Sequence, residues 1–304
     1  MNINIDLHQF PKNSTCPHIF KNAFRDFCSR VRPQTHIYTD ASIIEGRVGM
    51  AIICNETTIQ WKLSDKCSIY TAETLAILKA IKFTISEIND SNITIFSDSF
   101  SALTSLQNLY SPSDIVRKIQ NTHFIAKQQD KNISYSWIPG HCNIDGNELA
   151  DTAAKLAHSS PNSLSLPIFS LNDIKRVIEN DTVLQCQKEW NEMSTKLNEI
   201  KRSALPYPSP DNISRKHETS INHLRIGHTH LTHSHLMKKE DPPVCTCCGT
   251  LLTVKHILTE CKVYDKERRM YQISNHLAEA LNPDPNNIHK IMQFLKQTNL
   301  INKL

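Results

Sequence analysis

Apolar and polar positions between residues 36 and 157 repeat with two different periods. "HIYTD", "GRVGMAIIC" and "TTIQWKLSD" are short runs rich in β-branched and aromatic residues, with Gly46, Asn55 and Glu56 between them as turn material. They predict three sequential strands joined by hairpins. In "YTAETLAILKAIKFTISEI", Ala72, Leu75, Ala76, Leu78, Ile81 and Ile85 recur at helical spacing. "NITIFSD" reads as a buried strand, "SFSALTSLQNLY" and "SDIVRKIQNTHFIAKQQ" as helices, "NISYSWI" as a last strand and "GNELADTAAKLA" as a closing helix. The order βββαβααβα predicts an α/β fold: an antiparallel meander continued by strands that return through helices, in one mixed sheet. On the closing helix, Leu149, Ala153 and Leu156 form the expected apolar stripe, and Asp151 falls at its small-residue rim, where another element can come close.

A chain of 304 residues suggests two domains. Residues 1–34 have no strong period and read as an extension, and 35–159 hold the strand and helix series. Residues 160–212 read as a linker and helical segment: "SSPNSLSLP", a helix with Trp190, and a second break at Pro206, Pro208 and Pro210. Residues 213–304 are His- and Cys-rich. No apolar run approaches the roughly 18 residues of a membrane span, and "MNINIDLHQF" lacks the order of a signal peptide. The expectation is a cytoplasmic or nuclear protein, not secreted and without a membrane partner. In a reducing compartment, clustered cysteines read first as metal ligands, and four of the ten fall between Cys245 and Cys261. Residues 36–158 carry 13 acidic against 10 basic side chains, and residues 159–304 carry 19 basic against 15 acidic. Affinity for phosphate backbones is therefore expected in the second half.

Two predicted strands end alike, "IYTD" in Asp40 and "IFSD" in Asp98, and strand ends are where α/β folds build their sites. Either Asp alone is also an ordinary turn or cap residue. Glu73 near the start of its helix would by itself only compensate the helix dipole. If the first and fourth strands are neighbours, Asp40 and Asp98 meet, and the helices carrying Glu73 and Asp151 reach the same edge. Four acids in one pocket need cations, and oxygen-only ligands suit Mg²⁺ or Mn²⁺. Two such ions can activate a water and stabilise the leaving oxygen of a phosphodiester.

"YTDAS", "TAETLAILKAI", "IFSDSFSAL" and "IPGHCNIDGNELADTAAKLA" together resemble a type-1 ribonuclease H domain, particularly that of non-LTR retrotransposon polyproteins. The resemblance implies a five-stranded mixed sheet flanked by helices. It implies Asp40, Glu73, Asp98 and Asp151 as metal-binding carboxylates, His141 as an aid to proton transfer or product release, and RNA/DNA hybrids as substrate. Glu148 belongs to the family pattern but stays outside the catalytic set. A basic protrusion found in some cellular members is missing between the two helices after Asp98, so substrate grip is expected from elsewhere.

In "CTCCGTLLTVKHILTEC", Cys245, Cys248, His256 and Cys261 have the spacing of a tetrahedral zinc set, with a turn at Gly249, a short helix carrying His256 and Cys261, and Cys247 spare. This motif and "LRIGHTHLTHSHL" before it resemble the C-terminal CCHC segment of the same polyproteins. His228, His230, His233 and His235 are read as packing and surface residues. The expected function is an endonuclease acting on the RNA strand of RNA/DNA hybrids, with a catalytically silent nucleic-acid-binding relic as the alternative. An integrase-like strand transferase shares the sheet but fits the "GNELAD" helix less well. No reverse-transcriptase core is visible, which suggests a fragment of a longer element product or a domesticated piece. The sequence leaves the oligomeric state open.

Overall fold

The computed structural model describes residues 1–11, 14–30, 34–208 and 213–303. Pro210 and the boundary expected at residue 212 lie outside the described residues. Two compact units emerge, Met1–Ile178 and Glu179–Leu304.

The first unit is built on β1 (Asn2–Asn4), β2 (Thr35–Ile44), β3 (Arg47–Cys54), β4 (Thr57–Leu63), β5 (Asn92–Ser97), β6 (Asn132–Trp137) and β7 (Leu164–Leu166). Its helices are α1 (Pro17–Arg30), α2 (Ile69–Glu87), α3 (Phe100–Ser105), α4 (Asp114–Gln128), α5 (Asp145–Leu156) and the start of α6 (Leu171–Glu192). The predicted βββαβααβα series is β2 to α5. The sheet order is β1-β6-β5-β2-β3-β4-β7. Pairs β2–β3 and β3–β4 are antiparallel, whereas β2–β5, β5–β6, β1–β6 and β4–β7 are parallel.

The sheet thus has seven strands and not the five expected. Both additions are three-residue edge strands from segments that carry no strand signal. In the extension, β1 satisfies the open edge of β6; within the expected linker, β7 does the same for β4.

Alternation along β3 assigns its two faces. Val48, Met50, Ile52 and Cys54 join the main core beneath α2, while Ala51 and Ile53 join Ala150, Ala153 and Ala154 of α5. Helix α2 is buried along most of its length, with Ala72, Leu75, Ala76, Leu78 and Ile81 in the core and Ile85 partly covered. The expected stripe on α5 is corrected: Leu149 and Leu156 are 57% and 53% exposed, and the sheet-facing side is Ala150, Ala153 and Ala154. Gly49 explains the choice. A Cβ there would lie 2.2 Å from the Ala154 carbonyl oxygen and 2.8 Å from Ala157 Cβ. Only alanines on α5 against a glycine on β3 permit this approach.

The second unit holds the remainder of α6 with α7 (Lys196–Ile200), α8 (Arg215–Ile226), α9 (His230–Lys238), α10 (Asp265–Met270), α11 (Leu277–Ala280) and α12 (Pro285–Gln297). Its core is Ile221, Leu224, Ile257, Leu258, Ile291 and Phe294 with their neighbours. No helix among the described residues is long and apolar enough to cross a membrane.

Candidate active site

Parallel pairing of β2 with β5, in register at Thr39 and Ser97, makes Asp40 and Asp98 neighbours; Asp98 follows the end of β5 as expected, whereas Asp40 lies within β2, which runs on to Ile44 because it continues into the hairpin with β3. Glu73 reaches them from α2. The start of that helix is fixed twice: Ser68 Oγ accepts from the Thr71 amide at 3.2 Å, and the Ser68 amide donates to the buried Asp173 carboxylate at 3.0 Å. One oxygen from each of Asp40, Glu73 and Asp98 lies within 4.8 Å of the other two. Asp40 and Glu73 are 5% and 7% exposed.

Burial pushes the Asp40 carboxyl up to about 8; the charges of Asp98 and Asp151 add to this, and the hydrogen bond from the Ala41 amide at 2.7 Å opposes it. Glu73 is raised well above the usual carboxylate range by burial, then by Asp40 and Asp98. Its Oε2 is buried with no hydrogen-bond partner. Three crowded carboxylates, one with an orphaned oxygen, need a proton or a cation among them, and an all-oxygen donor set fits a hard divalent ion.

Asp151 stands beside this trio. Its side chain is 15% exposed, and it groups with His141 and Glu148, one ligand atom of each within 4.8 Å of the others. Lys155, one turn along α5, donates to Asp151 Oδ2 at 2.6 Å, and this bond raises the Lys155 ammonium pKa. His141 Nδ1 is 4.0 Å from Asp151 Oδ2 on an exposed loop, with φ of 58° at His141 and 57° at Asn143. Two non-glycine residues in the left-handed region within three positions mark a loop whose shape its surroundings impose. Glu148 Oε1 accepts from the Asn143 amide at 3.2 Å and so ties that loop to α5.

Several supports were not visible in the sequence. A Cβ at Gly140 would lie 2.3 Å from Asp98 Oδ2, and one at Gly146 would lie 2.3 Å from the Tyr38 ring. Both glycines let the loop and the start of α5 close on the acids. The Trp137 indole donates to the Asp98 carbonyl at 2.9 Å. His8, from the extension, stacks on Phe100 with ring centres 4.2 Å apart and meets the Trp137 ring edge-on at 5.2 Å. Lys21 on α1 pairs with Asp145 at the start of α5 at 2.8 Å. The Asp151 and Lys155 pair, by contrast, has a sequence signal in its i,i+4 spacing.

In the second unit, Cys245, Cys248, His256 and Cys261 offer four ligand atoms within 4.8 Å of one another, and Cys247 is exposed. The Gly249 amide donates to the Cys245 carbonyl at 2.8 Å, closing the turn, with Gly249 at φ 68°. His256 lies on a single π-helical turn, His256–Glu260, and Cys261 follows it, so the short helix expected to carry both holds only His256. Amide hydrogen bonds from Cys248, with help from His256 and Cys247, lower the Cys245 thiol to about 6. His256 Nδ1 lies 3.2 Å from Thr250 Oγ1 and 3.5 Å from Glu260 Oε2, while its buried Nε2 has no partner. An imidazole with one nitrogen engaged and the other unpartnered among three sulfurs has the arrangement of a metal ligand, and burial pushes the neighbouring Cys261 thiol up to about 11. His233 stacks on His228 at 3.9 Å.

Among solved structures, that of RNase H1 from the halophilic archaeon Halobacterium salinarum is similar to this chain, at 16% identity over 42% of this chain and 98% of that one, with a TM-score of 0.31. No curated protein matches the sequence. Residues 32–159 match the family model described as RNase H, and this stretch, which contains the acidic cluster and the His141 loop, is an RNase H domain.

Proposed function

We propose that the chain is an endonuclease that hydrolyses the RNA strand of RNA/DNA hybrids with two divalent ions, Mg²⁺ or Mn²⁺. The family match supports hybrid nuclease activity in general. The observation that carries the finer reading is the trio of buried Asp40, buried Glu73 and half-buried Asp98, one oxygen of each within 4.8 Å of the others. When bound, such ions lower the pKa of an attacking water and stabilise the leaving oxygen of the phosphodiester. Asp40 within β2, Asp98 just past the end of β5 and Glu73 on the buried α2 hold their oxygens on ordered elements, so little reorganisation is needed on loading. Asp151 completes the set from α5 once Lys155 releases it. His141, exposed beside Asp151, takes the proton-transfer or product-release role. Hybrid duplexes are recognised by groove shape and 2′-hydroxyl contacts, not by base sequence.

In the same proposal, Cys245, Cys248, His256 and Cys261 hold a structural zinc, and the chain descends from a retrotransposon product. The motif series and the CCHC spacing support the descent. A labelled RNA/DNA duplex incubated with Mg²⁺ tests the activity. The unmodified protein should cut the RNA strand and Asp40→Asn should not; cutting by both, or by neither, overturns the assignment.

A further inference from the structure

Two elements run on past the acids, β2 from Asp40 and α5 from Asp151, and both border the same small cavity. Its volume is about 120 Å³, and its lining includes Ser42, Arg47, Lys155, His158 and Ser159, with Glu45 the one acid. Gly49 and Ala154, at the close approach of α5 to β3, also line it. The cavity is well below the roughly 300 Å³ at which organic ligands are enclosed. That is room for one small anionic group. Arg47 and Lys155 supply two cations, Ser42 and Ser159 supply hydroxyls, and the His158 ring is fixed because its Nε2 donates to the Val48 carbonyl at 2.8 Å.

The position relative to the acids is informative. Ser42 lies two residues beyond Asp40, a step of about 6.6 Å along a strand. Lys155 lies four residues beyond Asp151, a step of about 6 Å along a helix. Each step is of the order of one nucleotide of extended backbone. Lys155 joins the two places directly, since its ammonium is 2.6 Å from Asp151 Oδ2. Along α5 the order runs from acidic Asp151 to basic Lys155, and across the hairpin Arg47 on β3 pairs with Ile44 beyond Asp40 on β2, as a phosphate chain held through cations at one point and through side chains at the next would require.

We propose that this cavity is a phosphate subsite for the strand being cut, seating the phosphodiester next to the scissile one through Arg47 and Lys155. The inference rests on the hybrid-nuclease reading and assigns the grip that the missing protrusion leaves open. Arg47 is exposed and has no role in the acidic cluster, so its replacement leaves the fold and the metal-holding carboxylates alone.

The test titrates a fluorescent RNA/DNA hybrid onto the full-length Asp40→Asn protein, with and without Arg47→Gln, over a range of salt concentrations. Arg47→Gln should weaken binding about 3- to 10-fold and lower the salt slope by about one, as loss of one phosphate contact does. Arg47→Lys should restore most of both. Calorimetric Mn²⁺ binding by the Arg47→Gln protein with Asp40 intact should match that of the unmodified chain. Equal affinity and equal slope for Arg47→Gln overturn the subsite. Failure of the unmodified protein to cut a hybrid that it binds in an Arg47-dependent way overturns the nuclease reading and leaves the subsite standing.

Discussion

Crowding Asp40, Glu73 and Asp98 together has a cost that is measurable without any substrate. Because Asp40 is raised from 3.8 to about 8, by burial first and Asp98 second, the folded protein holds a proton there more tightly than the unfolded chain. The penalty is therefore absent below about pH 4, grows as pH rises, and is complete above about pH 8. At about 1.4 kcal/mol per decade, its ceiling is on the order of 5 kcal/mol. The Glu73 carboxyl is raised beside it and titrates together with Asp40, so neutralising Asp40 alone should recover about 2 kcal/mol. Asp40→Asn keeps an acceptor for the Ala41 amide, now at 2.7 Å. In EDTA at about pH 9, scanning calorimetry should place the first unit's transition about 4–8 °C higher in Asp40→Asn than in the unmodified chain. At about pH 4 the two should coincide. Saturating Mg²⁺ should close or reverse the gap, because the ion binds the folded unmodified site and not the variant. Equal melting at both pH values in EDTA would refute the argument that these carboxylates are held together against their own repulsion.

Three other outcomes follow from single contacts. Gly140→Ala places a methyl 2.3 Å from Asp98 Oδ2 and should cut hybrid cleavage by more than about tenfold, with a stability loss of only about 1–3 kcal/mol; unchanged cleavage would show that the loop yields freely. His8→Ala removes the one ring that stacks on Phe100 and sits against Trp137, and should cost about 1 kcal/mol and speed hydrogen exchange at the Trp137 indole; unaltered exchange would remove the extension from the support of Asp98. The purified chain should carry about one zinc, lost in Cys245→Ser or Cys261→Ser and kept in Cys247→Ser; retention by Cys245→Ser counts against the ligand set.

The strands from β2 to β6 were legible because each buries one or both faces, which fixes the period of its apolar residues, and the matching "IYTD" and "IFSD" pointed to neighbouring acids, although β2 runs on past Asp40 to Ile44. The edge strands were not legible. Three residues carry no period, and the partner of β1 at Ser134 to Ser136 lies far along the chain, so nothing local announces the pairing. Asp173 escaped for the same reason: its role is to accept from Ser68 at the start of α2, a contact between distant segments.

Helix α5 shows a different failure. A hydrophobicity scale ranks Leu149 and Leu156 above alanine and assigns them to the core, yet burial there is decided by distance of approach. With no side chain on Gly49, α5 comes so near the sheet that a single methyl would collide with it, and only Ala150, Ala153 and Ala154 fit between. Had α5 turned its leucines inward, their volume would have lifted the helix off β3 and carried Asp151 away from Asp40. The position of the fourth acid is thus set by side chains that are missing. The signal that carries it is the spacing of small residues on α5 matched to a glycine on β3, which hydrophobic periodicity does not register.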